Sequence, residues 1–121
     1  MFKEVIETIQ GYKTLEADWD GYGSTVPNSR CLDKAVEFLE AISASNLVLS
    51  PPETSLTSHS TELYWLRAEN QIVVVFDSEN EEIEITAFQL ENSKLIWSYE
   101  GTDDIQTLIK NLSESPWFNK V

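Results

Sequence analysis

At 121 residues, with 41% hydrophobic and 11% aromatic side chains, the chain is long enough to bury one core and too apolar to remain disordered. Eight basic against 21 acidic residues give a net charge of −13, which repels phosphate backbones and anionic lipid surfaces, so direct nucleic-acid binding and membrane binding are both disfavoured. A single cysteine excludes an internal disulfide, and Met1-Phe2-Lys3-Glu4 lacks the apolar run of a signal peptide, so the expected compartment is the cytoplasm.

In chain order, Phe2, Val5, Ile6, Ile9 and Tyr12 recur at three- and four-residue steps and predict a helix over roughly residues 2–15, weakened near Gly11. Then comes the stretch Glu16-Ala17-Asp18-Trp19-Asp20-Gly21-Tyr22-Gly23. Gly21 and Gly23 tolerate positive φ, so a tight turn can aim Trp19 and Tyr22 at different targets. Two readings follow. Either Trp19 plugs the joint between helices and sheet, or Trp19, Asp20 and Tyr22 form a partner or ligand site. Glu16, Asp18, Asp20 and Gly21 also fall on positions one, three, five and six of a calcium loop. Position twelve is Pro27, which offers no side-chain oxygen, so no metal is assigned.

This loop resembles a Trp-Asp-Gly-Tyr-Gly motif carried near the N-terminus by small bacterial and prophage proteins of no established activity. In them a helix, a proline segment and a strand with a Glu-aromatic-Trp sequence follow. Here Trp19 to Gly23, Pro51-Pro52 and Glu62-Leu63-Tyr64-Trp65 fill those roles. The resemblance spans about residues 15–90 and implies a bacterial or prophage origin, with no mechanism attached. Glu79, Glu81, Glu82 and Glu84 are denser than that pattern leads one to expect.

Pro27, Asn28 and Ser29 signal a helix start ahead of Leu32, Ala35, Val36, Leu39 and Ile42, predicting a second helix over about 28–44. Cys31 in its first turn is expected to be a small packed residue. Residues 46–61, with Pro51-Pro52 and a Ser/Thr run, read as a long surface connector within one domain. It holds the only histidine, His59, between Ser58 and Ser60, but adjacent loop residues lack the mutual orientation that nucleophile and base require.

Beyond it the period becomes two. Glu62 to Ala68, Ile72 to Asp77, Glu82 to Leu90 and Lys94 to Tyr99 predict four strands, joined by short turns into an antiparallel meander. Ile72 to Phe76 reads as the most buried strand, Glu82 and Glu84 place a wet acidic face on the next, and Leu95, Trp97 and Tyr99 share one face of the last. Thr102 is the expected cap of a C-terminal helix that Pro116 stops, leaving Trp117-Phe118 on a tail. The fold class is therefore α+β: two N-terminal helices, a four-stranded antiparallel meander and a C-terminal helix, with all three helices on one sheet face.

No His/Cys metal cluster, phosphate loop or dinucleotide pattern supports a cofactor, and none is assigned. Asp77, Glu79, Glu81, Glu82 and Glu84 put five carboxylates into eight positions with no intervening base. Two function classes follow. The first is a non-enzymatic acidic interaction protein that blocks a basic, nucleic-acid-binding partner, as an antitoxin, immunity protein or phage inhibitor does. Its expected contacts are those five carboxylates together with Trp19, Asp20 and Tyr22. The second is a small-ligand binder or enzyme built on the loop from Trp19 to Gly23. A toxin or defence operon alongside favours the first, a metabolic operon the second.

Overall fold

The computed structural model describes residues 2–45, 49–57, 59–67, 70–79 and 83–114. Helix α1 spans Lys3–Gly11 and tightens into one 3-10 turn over Tyr12–Thr14; α2 spans Ser29–Ala44. Five strands follow, β1 Glu53–Leu56, β2 Ser60–Arg67, β3 Asn70–Asp77, β4 Ile83–Glu91 and β5 Lys94–Asp103, before α3 at Ile105–Leu112. The sheet runs β1-β2-β3-β4-β5 with every neighbouring pair antiparallel.

The α+β class and the meander agree with the sequence reading, but the sheet has five strands where four were expected. The extra strand lies inside the segment read as a connector. Glu53 to Leu56 pairs with β2 through Glu53↔Tyr64 and Leu56↔Thr61. It has one apolar side chain and is preceded by Pro51-Pro52, so its strand character comes from pairing rather than from its own pattern. A hydrogen bond of 2.8 Å between the Tyr12 and Thr54 hydroxyls ties it to the 3-10 turn.

Asn28 caps α2 as expected, its side chain accepting from the Arg30 and Cys31 N–H groups. The cap of α3 is Asp104, not Thr102, because β5 continues through Thr102 (opposite Glu84) and Asp103 (opposite Ile83). Alternation assigns the two sheet faces. Leu63, Trp65, Ile72, Val74, Phe76, Ile83, Ile85 and Ala87 are buried against the helices, which supply Ile9, Leu32, Phe38, Leu39, Ile42, Leu108 and Leu112. Phe38 meets Phe76 edge to face, with centroids 6.0 Å apart. The β3 strand is thus buried on one side only, and Val73 and Val75 look out from the opposite face, half-covered by their neighbours.

In β5 a register shift opposite Gln89 and Leu90 corrects the expected face. Trp97, opposite Gln89, packs with Tyr99 against the core, whereas Leu95 sits opposite Leu90 and is 60% exposed. No helix among the described residues is long and apolar enough to cross a membrane. The tail with Trp117-Phe118 lies outside the described residues.

Candidate interaction surface

The loop between the 3-10 turn and α2 is braced by six hydrogen bonds of its own. The Asp18 N–H donates to the Ser24 carbonyl (2.7 Å), the Gly21 N–H to the Asp18 carbonyl (3.1 Å) and the Gly23 N–H to Asp18 Oδ1 (2.7 Å). Asp20 takes the Tyr22 N–H on Oδ1 (2.9 Å) and the Ser24 hydroxyl on Oδ2, and Trp19 Nε1 donates to the Thr25 carbonyl (2.9 Å). Gly21 and Gly23 do take positive φ, and Asp18 joins them at 64°. The Ser24 hydroxyl and then the Tyr22 N–H hold the Asp20 carboxyl below its ordinary pKa.

Two consequences follow from that wiring. The Asp18 and Asp20 carboxyls are taken up by the loop's own N–H groups and the Ser24 hydroxyl, and no group of three or more His, Cys, Asp or Glu among the described residues is placed to hold a metal ion. Trp19 is half-buried and outside the core cluster, so it fastens the loop and does not plug the joint. The braced turn leaves Tyr22 91% exposed at its tip.

Asp77 closes β3, and its Oδ1 accepts the Glu79 N–H at 2.8 Å in the turn that follows. Burial, and behind it the Asp77 charge, raises the pKa of Cys31 in the first turn of α2. Glu84 follows on β4, half-buried and facing away from the helices. Glu81 and Glu82 lie outside the described residues.

Glu84 belongs to a wider surface that the sequence reading missed. Across the sheet's outer face the register aligns Glu53, Tyr64, Val73, Thr86 and Glu100 in one row, and Ser55, Glu62, Val75, Glu84 and Thr102 in the next. A third row holds Leu66, Gln71, Phe88 and Ser98; shorter ones hold Ser60 with Asp77 and Leu90 with Leu95. These rows contain five carboxylates and no Lys or Arg. Lys3, Lys13, Arg30, Lys34 and Lys110 belong to the helical layer, where Lys13 pairs with Asp33, and Lys94 stands at the start of β5 opposite Glu91, outside these rows. The field is felt at Tyr64, whose phenol pKa is raised first by its hydrogen bond to Glu53, then by partial burial and the charges of Glu53 and Glu62.

No protein-family model matches the chain, and no curated protein or solved structure matches it either.

Clefts add little chemistry. A cleft of about 350 Å³ between α2 and α3 is lined by Lys34, Glu37 and Ala41 on one side and Asp104 and Ile105 on the other, with Asp104 occupied in capping. Two smaller ones flank Glu4 and Val5. None of the three is lined by the Trp19 loop. His59 is exposed in the β1–β2 turn, and the Ser60 hydroxyl bonds to Thr57 Oγ1 at 2.8 Å; Ser58 lies outside the described residues. The signal that could have revealed the outer face is parity: once the hairpins are in register, Glu62, Glu84 and Glu100 share a side.

Proposed function

We propose that this chain is an acidic, non-enzymatic interaction module that binds and blocks a basic protein partner, in the manner of an antitoxin, an immunity protein or a phage-encoded inhibitor. The observation that carries the reading is the segregation of charge: five carboxylates and no Lys or Arg across the outer sheet rows, on a chain of net charge −13. Such a surface steers a cationic partner in and repels nucleic acid, so a protein that itself binds nucleic acid is the natural target. Tyr22, displayed on its braced loop, supplies a second contact whose rotamer freedom is small to begin with. A cytoplasmic setting in a bacterium or prophage belongs to the same reading.

The test is affinity capture from the native host with wild type and with the triple variant Glu62→Lys, Glu84→Lys, Glu100→Lys. A basic protein retained in low salt, released as salt screens beyond about 8 Å, and lost in the triple variant is the expected result. An identical retained set for both baits would overturn the proposal.

A further inference from the structure

The outer sheet face is divided along its strands. At the end near the β3–β4 turn stand Asp77, Glu62 and Glu84; at the other end stand Leu66, Phe88, Leu90 and Leu95, with Leu66 63% and Leu95 60% exposed. Glu53 and Glu100 flank the middle row, and Tyr64 and Val73 carry the apolar strip between them. Glu84 and Phe88 are four residues apart on one strand, about 13 Å at the usual strand rise. No described element covers this face, since the buried side chains of β2, β3 and β4 all lie on the helical side.

We infer that the partner docks on this face through a segment carrying two clusters, an apolar one for Leu66, Phe88, Leu90 and Leu95 and a cationic one for Glu62 and Glu84, set about 13 Å apart. The inference rests on the acidic-module reading and specifies its partner. On a helix that separation is about nine residues, and on an extended strand about four. Charge complementarity selects the occupant. A purely cationic chain would leave the exposed leucines wet, and a purely apolar one would strand the carboxylates against a surface without counter-charges. A second copy of this chain would cover only the apolar end and leave the acidic rows unmatched, against the repulsion of −13 on each copy.

Two synthetic peptides of equal positive charge test it on the full chain. One is helical, with Leu and Ile at one end and Lys about nine residues further on; the other is oligolysine. The amphipathic peptide should bind at least about tenfold more tightly, as expected for burying one or two leucine side chains. Leu66→Ser and Leu95→Ser should each bring it down toward the oligolysine value, and because both side chains are already more than half exposed the fold should survive, as circular dichroism would verify. Glu62→Lys with Glu84→Lys should weaken both peptides.

Equal binding of the two peptides would sink the two-cluster segment and leave the acidic module standing. Failure of both peptides to bind in low salt would remove the acidic module as well. Dimerisation of the free chain in sedimentation, abolished by Leu95→Ser, would give the face to a second copy and overturn the inference.

Discussion

Trp65 and Trp19 make the same kind of bond and should differ sharply in what they contribute. Trp65 Nε1 donates to the Ser50 carbonyl at 2.7 Å, and Trp19 Nε1 donates to the Thr25 carbonyl at 2.9 Å. Trp65 is 4% exposed within the core cluster, whereas Trp19 is half-buried and outside it. Truncating a buried indole to alanine removes about 3–5 kcal/mol, and losing one exposed hydrogen bond with a partly covered ring removes about 1–2. An unfolding entropy of about 2.1 cal/mol/K per residue over this length means that 1 kcal/mol moves the melting temperature by about 4 °C. Trp65→Ala should therefore melt about 12–20 °C lower, and Trp19→Ala about 4–8 °C lower. Far-UV circular dichroism melts, with urea titrations to confirm an unchanged m-value, measure both. Equal losses would show that the indole of Trp19 carries core burial, and would refute its assignment as a loop fastener.

Other expectations follow from single sites. Asp104 caps α3 by accepting the Thr107 N–H at 2.8 Å, and that bond holds its pKa below the ordinary value. A depressed carboxyl stabilises the fold above its unfolded pKa and stops doing so as pH falls through its folded one. Asp104→Ala should therefore melt below wild type at neutral pH, with the gap closing below about pH 4, while Asp104→Asn keeps the cap and loses the pH dependence. Gly11 has helical φ of −62° and open space around its Cα, so Gly11→Ala should raise stability by about 0.5–1 kcal/mol; Gly23 has φ of +80°, so Gly23→Ala should lower it by about 1 kcal/mol, both read from urea midpoints. Cys31 is 2% exposed and its thiol pKa is raised by burial, so alkylating reagents should label it in urea and not in the native protein at pH 7.

What was legible in the sequence was local. The α2 helix announced itself through the Asn28 cap and the stripe from Leu32 to Ile42, and the tight loop through Gly21 and Gly23. The β1 strand was illegible because Glu53-Thr54-Ser55-Leu56 becomes a strand by pairing with β2, a partner that no window of that composition reveals. Thr102 resembles a cap in the sequence because the extent of β5 depends on β4, and strict alternation places Leu95 beside Trp97 because a register shift is invisible to it. The same limit governed the candidate surface. The run from Asp77 to Glu84 is contiguous and easy to see, whereas Glu53, Glu62, Glu84 and Glu100 come from four strands and become neighbours only through register.

The order of the sheet is also the order of the chain, and this bears on how the protein reaches its fold. Each strand pairs with the next one made, so β1 to β5 can zip as successive hairpins with short loops to close and a low entropic barrier. The N-terminal helices pack on each other, but the rest of their core face waits for the sheet. The core face of α2, with Phe38 and Leu39, is completed by β2 and β3, and β3 ends at Asp77, 33 residues beyond the end of α2 at Ala44. At about 5–20 residues per second of synthesis, that leaves the sheet-facing part of the α2 stripe uncovered for about 2–7 s on every nascent chain. During that interval it is a natural substrate for a chaperone, and substitutions that slow β2–β3 pairing should lower soluble yield more than their effect on equilibrium stability accounts for.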